Sequence, residues 1–218
     1  MTKPSPRHAA LLLTALLACL GVTGVAHADR YNREPAAPSR LRLLGGVHFG
    51  IGGTLEGDND SPFDGSLDLA TTYGGHLGVD AVVFRFFAIG GEARFSAFNT
   101  EDAEARNIDR SFLVDLDVKP RLRIPFVHER FELYFSTPVG LTIPILADEI
   151  AADGRVDGKV GWNLGIGGGM TFFITRHFGI NLEPMYVMRW FGVEGPAGSE
   201  VDLKMRQFTL FTNAVLAI

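Results

Sequence analysis

Few residues of this 218-residue chain are of types suited to chemistry. His48 lies in RLRLLGGVHFGIGGTL and His76 in ATTYGGHLGVDAVVF, and both share a polar parity with Asp80 and, in the next segment, Glu92. Imidazole and carboxylate are ligand types for zinc. Antiparallel pairing of the two segments puts position 48 opposite about 76–77. The same side chains can satisfy one another by hydrogen bonds, and that structural reading is adopted: no metal site is assigned. Nucleophilic catalysis needs a base within reach of the nucleophile. The long polar stretches 56–68, 99–109, 147–158 and 192–200 contain no histidine, while His128 and His177 sit in short connectors. No Lys-Ser/Thr follows the glycine run GIGGGM (165–170), so it is not a phosphate loop. The reading is of a non-enzymatic protein without a cofactor.

The elements that position these residues begin after the N-terminus. Lys3 and Arg7 precede an apolar run from about Ala9 to Val25, and Ala26-His27-Ala28 closes it. A basic start, an apolar stretch and an A-x-A site predict a secretory signal peptide over 1–28. Leu16-Leu17-Ala18-Cys19 also resembles a lipobox, but the apolar run continues past Cys19 to the better site. Cys19 is the only cysteine, so the mature chain would carry no disulfide. Loss of Lys3 and Arg7 leaves 18 basic against 25 acidic residues, a balance that disfavours nucleic acid. A Pro-rich stretch, 29–39, reads as a periplasmic linker, and 40–218 as one domain.

Within 40–218, apolar and polar residues alternate in segment after segment, the signature of strands with two unlike faces. VDLDVKPRLR (114–123) shows it most sharply, with Asp115, Asp117, Lys119, Arg121 and Arg123 at every second position. Eight such segments are expected, joined alternately by short turns and long polar loops, with both ends of the domain at the short turns. No later apolar stretch is long enough for a membrane helix, so any membrane span must be β.

Three features orient the two faces. Large apolar residues crowd one face, while glycines such as Gly46, Gly50, Gly74, Gly90 and Gly165 collect on the other, as a narrow eight-stranded lumen favours. The polar face mixes both signs of charge: Arg42, His48, His76, Asp80, Glu92, Arg94, Asp115, Asp117, Lys119, Arg121, Arg123, Glu132, Glu183 and Arg189, with Lys204 and Arg206 added. Enclosed charges persist when paired and hydrogen-bonded, so this face is expected to form an internal structural network. Phe84, Phe86, Phe87, Phe126, Phe131, Phe172, Phe173 and Phe178 gather near the short turns, and Tyr73, Trp162 and Trp190 near the long loops, as membrane girdles do. The last segment is awkward. Asp202, Lys204 and Arg206 share a parity with Phe208, Leu210, Leu216 and Ile218, so the faces swap near Gln207, through a bulge there or a shifted register.

On these features the chain resembles the bacterial outer-membrane β-barrel family, in particular the eight-stranded OmpA/OmpX-type and opacity-protein-like barrels. The resemblance covers about 40–218. It implies an all-β fold: an eight-stranded antiparallel up-and-down transmembrane β-barrel in the Gram-negative outer membrane, with periplasmic termini and outward loops. It also implies partners, namely outer-membrane lipid and lipopolysaccharide, with barrel-assembly machinery and periplasmic chaperones during biogenesis. Barrel enzymes of the deacylase and palmitoyltransferase kinds use a histidine near the outer loops, and this chain has none there. Acidic loop residues Glu56, Asp58, Asp60, Asp64, Asp68, Glu101, Asp102 and Glu104 read as a solvated surface, or as sites for cation bridging to anionic lipopolysaccharide. The expected role is envelope-structural or adhesive, with a narrow channel for small or apolar solutes as the alternative. Two departures stand out: the chain ends in Ile218 where the family commonly ends in an aromatic, and Pro120, Pro138, Pro144 and Pro184 fall inside strands.

Overall fold

The computed structural model describes residues 40–57, 66–101, 110–126, 130–146, 157–194 and 200–218. The expected signal peptide and linker lie outside these residues, as do Asp58, Asp60, Asp64, Asp102 and Glu104. Alternation has become strands throughout: β1 (Leu41–Gly57), β2 (Ser66–Asp68), β3 (Thr72–Phe84), β4 (Phe87–Phe98), β5 (Ser111–Phe126), β6 (Phe131–Ser136), β7 (Val139–Ile145), β8 (Asp157–Phe173), β9 (Phe178–Glu194) and β10 (Glu200–Ala217).

These strands form a closed antiparallel ring of eight staves. The order is β1, β3, β4, β5, β6 with β7, β8, β9 and β10, and β10 returns to β1 from Arg42↔Ala217 to Gly57↔Leu203. Closure leaves no free edge, which explains how long, flat apolar strands avoid edge pairing. β6 and β7 are one stave with a gap at Thr137-Pro138. Arg121↔Ser136 and Val118↔Val139 keep one offset across it, so the ladder loses hydrogen bonds but not register. Pro138 cannot donate to the ladder, whereas the Thr137 N–H still reaches the Pro120 carbonyl at 3.2 Å. Pro120 itself sits mid-strand opposite Ile89 and needs no bulge.

Two elements differ from the sequence expectation. β2 lies in the stretch assigned wholly to a loop; it folds back on β1 at Thr54↔Asp68 to Glu56↔Ser66, drawn in by Leu69, whose side chain is buried just beyond it. The bulge expected near Gln207 lies instead in the partner strand. Ile51↔Phe208 is followed by Gly53↔Gln207, and Gly52 is extruded with φ +62°. β10 never swaps faces: Met205, Gln207, Thr209, Phe211, Asn213 and Val215 all point inward. Asp202, Lys204 and Arg206 therefore point outward, which corrects the interior place expected of Lys204 and Arg206. Near Phe208 the outward residues change from charged to apolar while the register does not.

The outer wall carries an apolar belt. Leu77 is 72 % exposed, and Leu43, Val79, Leu116, Val118, Leu141, Ile166 and Phe208 are exposed around it. No helix among the described residues is long and apolar enough to cross a membrane; the strands present the apolar surface. Phe84, Phe86, Phe126, Phe172 and Phe178 are exposed near the short-turn end. Phe173 departs from that girdle. It points inward with Leu44, Val215 and Ala217, and the Arg42 guanidinium lies 5.0 Å from its ring centre.

Candidate functional site

The enclosed lumen is the first place where function could reside. β5 supplies its central rail, because inward residues on a strand recur at every second position. Asp115, Asp117, Lys119, Arg121 and Arg123 are all buried. Around them are Arg42 from β1, Asp80 from β3, Glu92 and Arg94 from β4, Glu132 from β6, and Glu183 and Arg189 from β9, all equally buried. Six cations thus face six anions.

Their contacts form three linked groups from the short-turn end upward. Arg42 Nη1 donates to both oxygens of Glu132, at 3.1 and 3.0 Å, and Arg123 shares that carboxylate. Higher up, Arg121 pairs with Asp80, and Lys119 Nζ donates to Glu92 at 2.9 Å and to Glu183 at 2.8 Å. Ser136 Oγ donates to the other Glu183 oxygen at 2.5 Å. Nearest the loops, Arg94 pairs with Asp117 and lies 3.6 Å from Asp115, whose carboxylate also receives Arg189 and, at 2.5 Å, the Thr142 hydroxyl. Charges withdrawn from water must be compensated in this way or the fold loses on the order of several kcal/mol per ion.

His48 and His76 belong to the same interior, with a register that differs from the expected one. His48 pairs across with Gly74, and His76 with Gly46, so the two rings are diagonal neighbours with centroids 5.7 Å apart. Gly74 is required there: a β-carbon would lie 2.8 Å from His48 Cε1. His48 Nε2 bonds Ser96 Oγ at 2.9 Å, and His76 Nε2 bonds Asn213 Oδ1. Asn213 Nδ2 donates in turn to Asn181 at 2.8 Å, and Asn181 Nδ2 to the Tyr134 hydroxyl at 2.7 Å. Phe211 packs against both imidazoles, its ring 5.2 Å from each. Among the described residues no cluster of three or more His, Cys, Asp or Glu could hold a metal. Asn181, Asn213, Tyr134 and Phe211 carry no charge and so give no ionic signal in the sequence. Their parity alone marks them, since they share the inward face with the ions.

Toward the loops the lumen changes character. Leu69, Phe98, Leu113, Phe191 and Met205 form a buried apolar cluster, with Leu55, Leu146, Val193 and Leu203 against it. Here the wall is built as in a water-soluble barrel, apolar inside and charged outside. Outside, Arg206 pairs with Glu56 at 3.2 Å, and Lys159 with Glu194 at 3.3 Å and with Glu200. Hydrogen bonding to Glu200 raises the Lys159 pKa above that of a free lysine. Of the acidic loop residues that are described, Asp68 lies on β2 and Glu101 beyond β4, both exposed, while Glu56 ends in the Arg206 pair.

Solved outer-membrane barrels have the same architecture. Outer membrane protein OprG from Pseudomonas aeruginosa is similar over 84 % of this chain and 98 % of its own, with 10 % identity and a TM-score of 0.59. Outer membrane protein AlkL, solved in DMPC lipid bilayers, is similar over 88 % of this chain and 97 % of its own, with 14 % identity and a TM-score of 0.59. Neisserial surface protein A is similar over 84 % of this chain and all of its own, with 10 % identity and a TM-score of 0.51. The shared feature is the fold, that of an outer-membrane β-barrel. No family model matches the chain, and no curated relative matches it in sequence.

Proposed function

We propose that this chain is a non-enzymatic integral protein of the Gram-negative outer membrane that supports the envelope and displays its long loops outward. The observation that carries this reading is the inversion of the wall: an apolar belt outside and a paired ionic network inside. A water-soluble carrier would have the opposite arrangement along its whole height. The network serves structure in this reading. It cross-braces staves that adjacent-strand hydrogen bonds connect only in sequence around the ring. The short-turn end, with both termini, faces the periplasm, and the signal peptide, periplasmic chaperones and assembly machinery deliver the chain. The acidic loops meet solvent or cation-bridged lipopolysaccharide.

A second role, a passage for small apolar solutes, would run through the loop-end lumen, where the residues that a solute would meet, Leu69, Phe98, Leu113, Phe191 and Met205, are apolar but packed together. Planar-bilayer recording separates the two. The structural role predicts a silent bilayer; sustained, well-defined openings would establish the channel instead. Fractionation tests the location, since recovery in the soluble periplasm without detergent would overturn the membrane reading.

A further inference from the structure

The outer wall of β8, β9, β10 and β1 changes character in three level rows set by strand register. The lowest is Ile166, Tyr186, Phe208 and Ile51, the next Leu164, Met188, Arg206 and Thr54, and the uppermost Trp162, Trp190, Lys204 and Glu56. The apolar belt therefore gives way within two rows to aromatics flanked by charge. A cleft of about 610 Å³ opens at this upper level, lined by all four residues of the top row.

Two features separate this cleft from an ordinary aromatic girdle. Both tryptophans of the chain meet here, stacked with ring centres 3.9 Å apart and planes within 10°. Lys204 stands over Trp190, its Nζ 5.5 Å from the ring centre, within the range of cation–π attraction. The neighbouring cations are committed, Arg206 to Glu56 and Lys159 to Glu194 and Glu200. Of the described residues, none forms an ion pair with Lys204. The wall thus offers a flat aromatic platform, one uncommitted cation and the carboxylate of Asp202, beside a Glu56 held by Arg206 and immediately above an apolar surface.

We propose that this cleft binds one phosphorylated glycolipid of the outer leaflet. Its acyl chains lie along Ile166, Tyr186 and Phe208, its sugar ring covers the exposed Trp162 face, and its phosphate sits on Lys204. A plain phospholipid would use the cation and the belt but leave the stacked platform and the Asp202 carboxylate without a partner. The inference rests on the membrane reading above, with the loop end in the outer leaflet.

The test is native mass spectrometry of the full-length protein in detergent, titrated with bis-phosphorylated lipid A, its dephosphorylated form, or phosphatidylglycerol. One lipid A should be retained per barrel. Lys204→Gln and removal of the lipid phosphates should each weaken retention about fivefold, the worth of one interfacial cation. Trp162→Leu should weaken lipid A but not phosphatidylglycerol, and Lys159→Gln, in a pair outside the cleft, should change neither. Equal retention by wild type, Lys204→Gln and Trp162→Leu would overturn the site, as would phosphatidylglycerol retained as well as lipid A. Heat-modifiable gel mobility and insertion into vesicles are measured on the same samples. A chain that is folded and inserted but indifferent to the substitutions fails the site alone, whereas one that does not insert fails the membrane reading.

Discussion

Arg189 on β9 reaches across the lumen to Asp115 on β5, its Nη2 2.8 Å and its Nε 3.0 Å from one carboxylate oxygen. The two strands lie three staves apart in the ring, so no ladder hydrogen bond joins them. Arg94 shares the same carboxylate from β4. One buried anion thus ties three staves together.

Replacing Asp115 with Ala leaves Arg189 buried without its counter-charge, while Arg94 keeps Asp117. Breaking a buried pair from one side costs about 3–5 kcal/mol. Urea unfolding in phospholipid vesicles should show a loss of that size. The double variant Asp115→Leu/Arg189→Met should recover much of it, because the uncompensated charge is gone; no recovery would mean that packing, not charge, sets the loss.

The outward belt gives an opposite expectation for charge. Leu77→Arg places a cation at one of the most exposed apolar positions of the wall. In a bilayer this should cost about 2–4 kcal/mol if the position is near the midplane, against about 0–1 for an added charge at the interface. The comparison variant is Asp202→Arg, at the loop end. Equal stability of the two in vesicles would place the belt outside the membrane.

The apolar cluster at the loop end should behave as a protein core. Phe191 is 3 % exposed within it, and Phe191→Ala should cost about 3–5 kcal/mol by loss of burial and by the cavity left. The same variant is the one to record in planar bilayers. If the cluster is the barrier to permeation, openings absent from the wild type should appear.

Gly52 is a position where the backbone itself demands glycine. Its φ of +62° lies in the left-handed region, and a β-carbon there would meet nothing within 4 Å. Gly52→Ala should therefore cost about 1–2 kcal/mol from backbone conformation alone. Gly52→Asn should cost less, since asparagine tolerates that region. Thermal loss of the heat-modifiable form, compared across the three proteins, reads the difference.

The strict period of two was legible from residue types alone, and with it the strands, the two unlike faces and the alternation of short turns with long loops. A strand's side chains must alternate, so the parity of Asp115, Asp117, Lys119, Arg121 and Arg123 follows from the sequence whatever they pair with. Register does not follow from parity. The offset between His48 and His76, the passage of Pro120 through an unbroken strand and the bulge at Gly52 were set by ring closure, where each stave must match two neighbours at once. Asp202, Lys204 and Arg206 show the limit most clearly. Polarity was a sound guide to the inward face only within the apolar belt. Above it the outward face of β10 carries charge and its inward face carries Val201, Leu203 and Met205. The height at which that exchange occurs depends on how the eight staves stagger, and only the closed tertiary structure decides it.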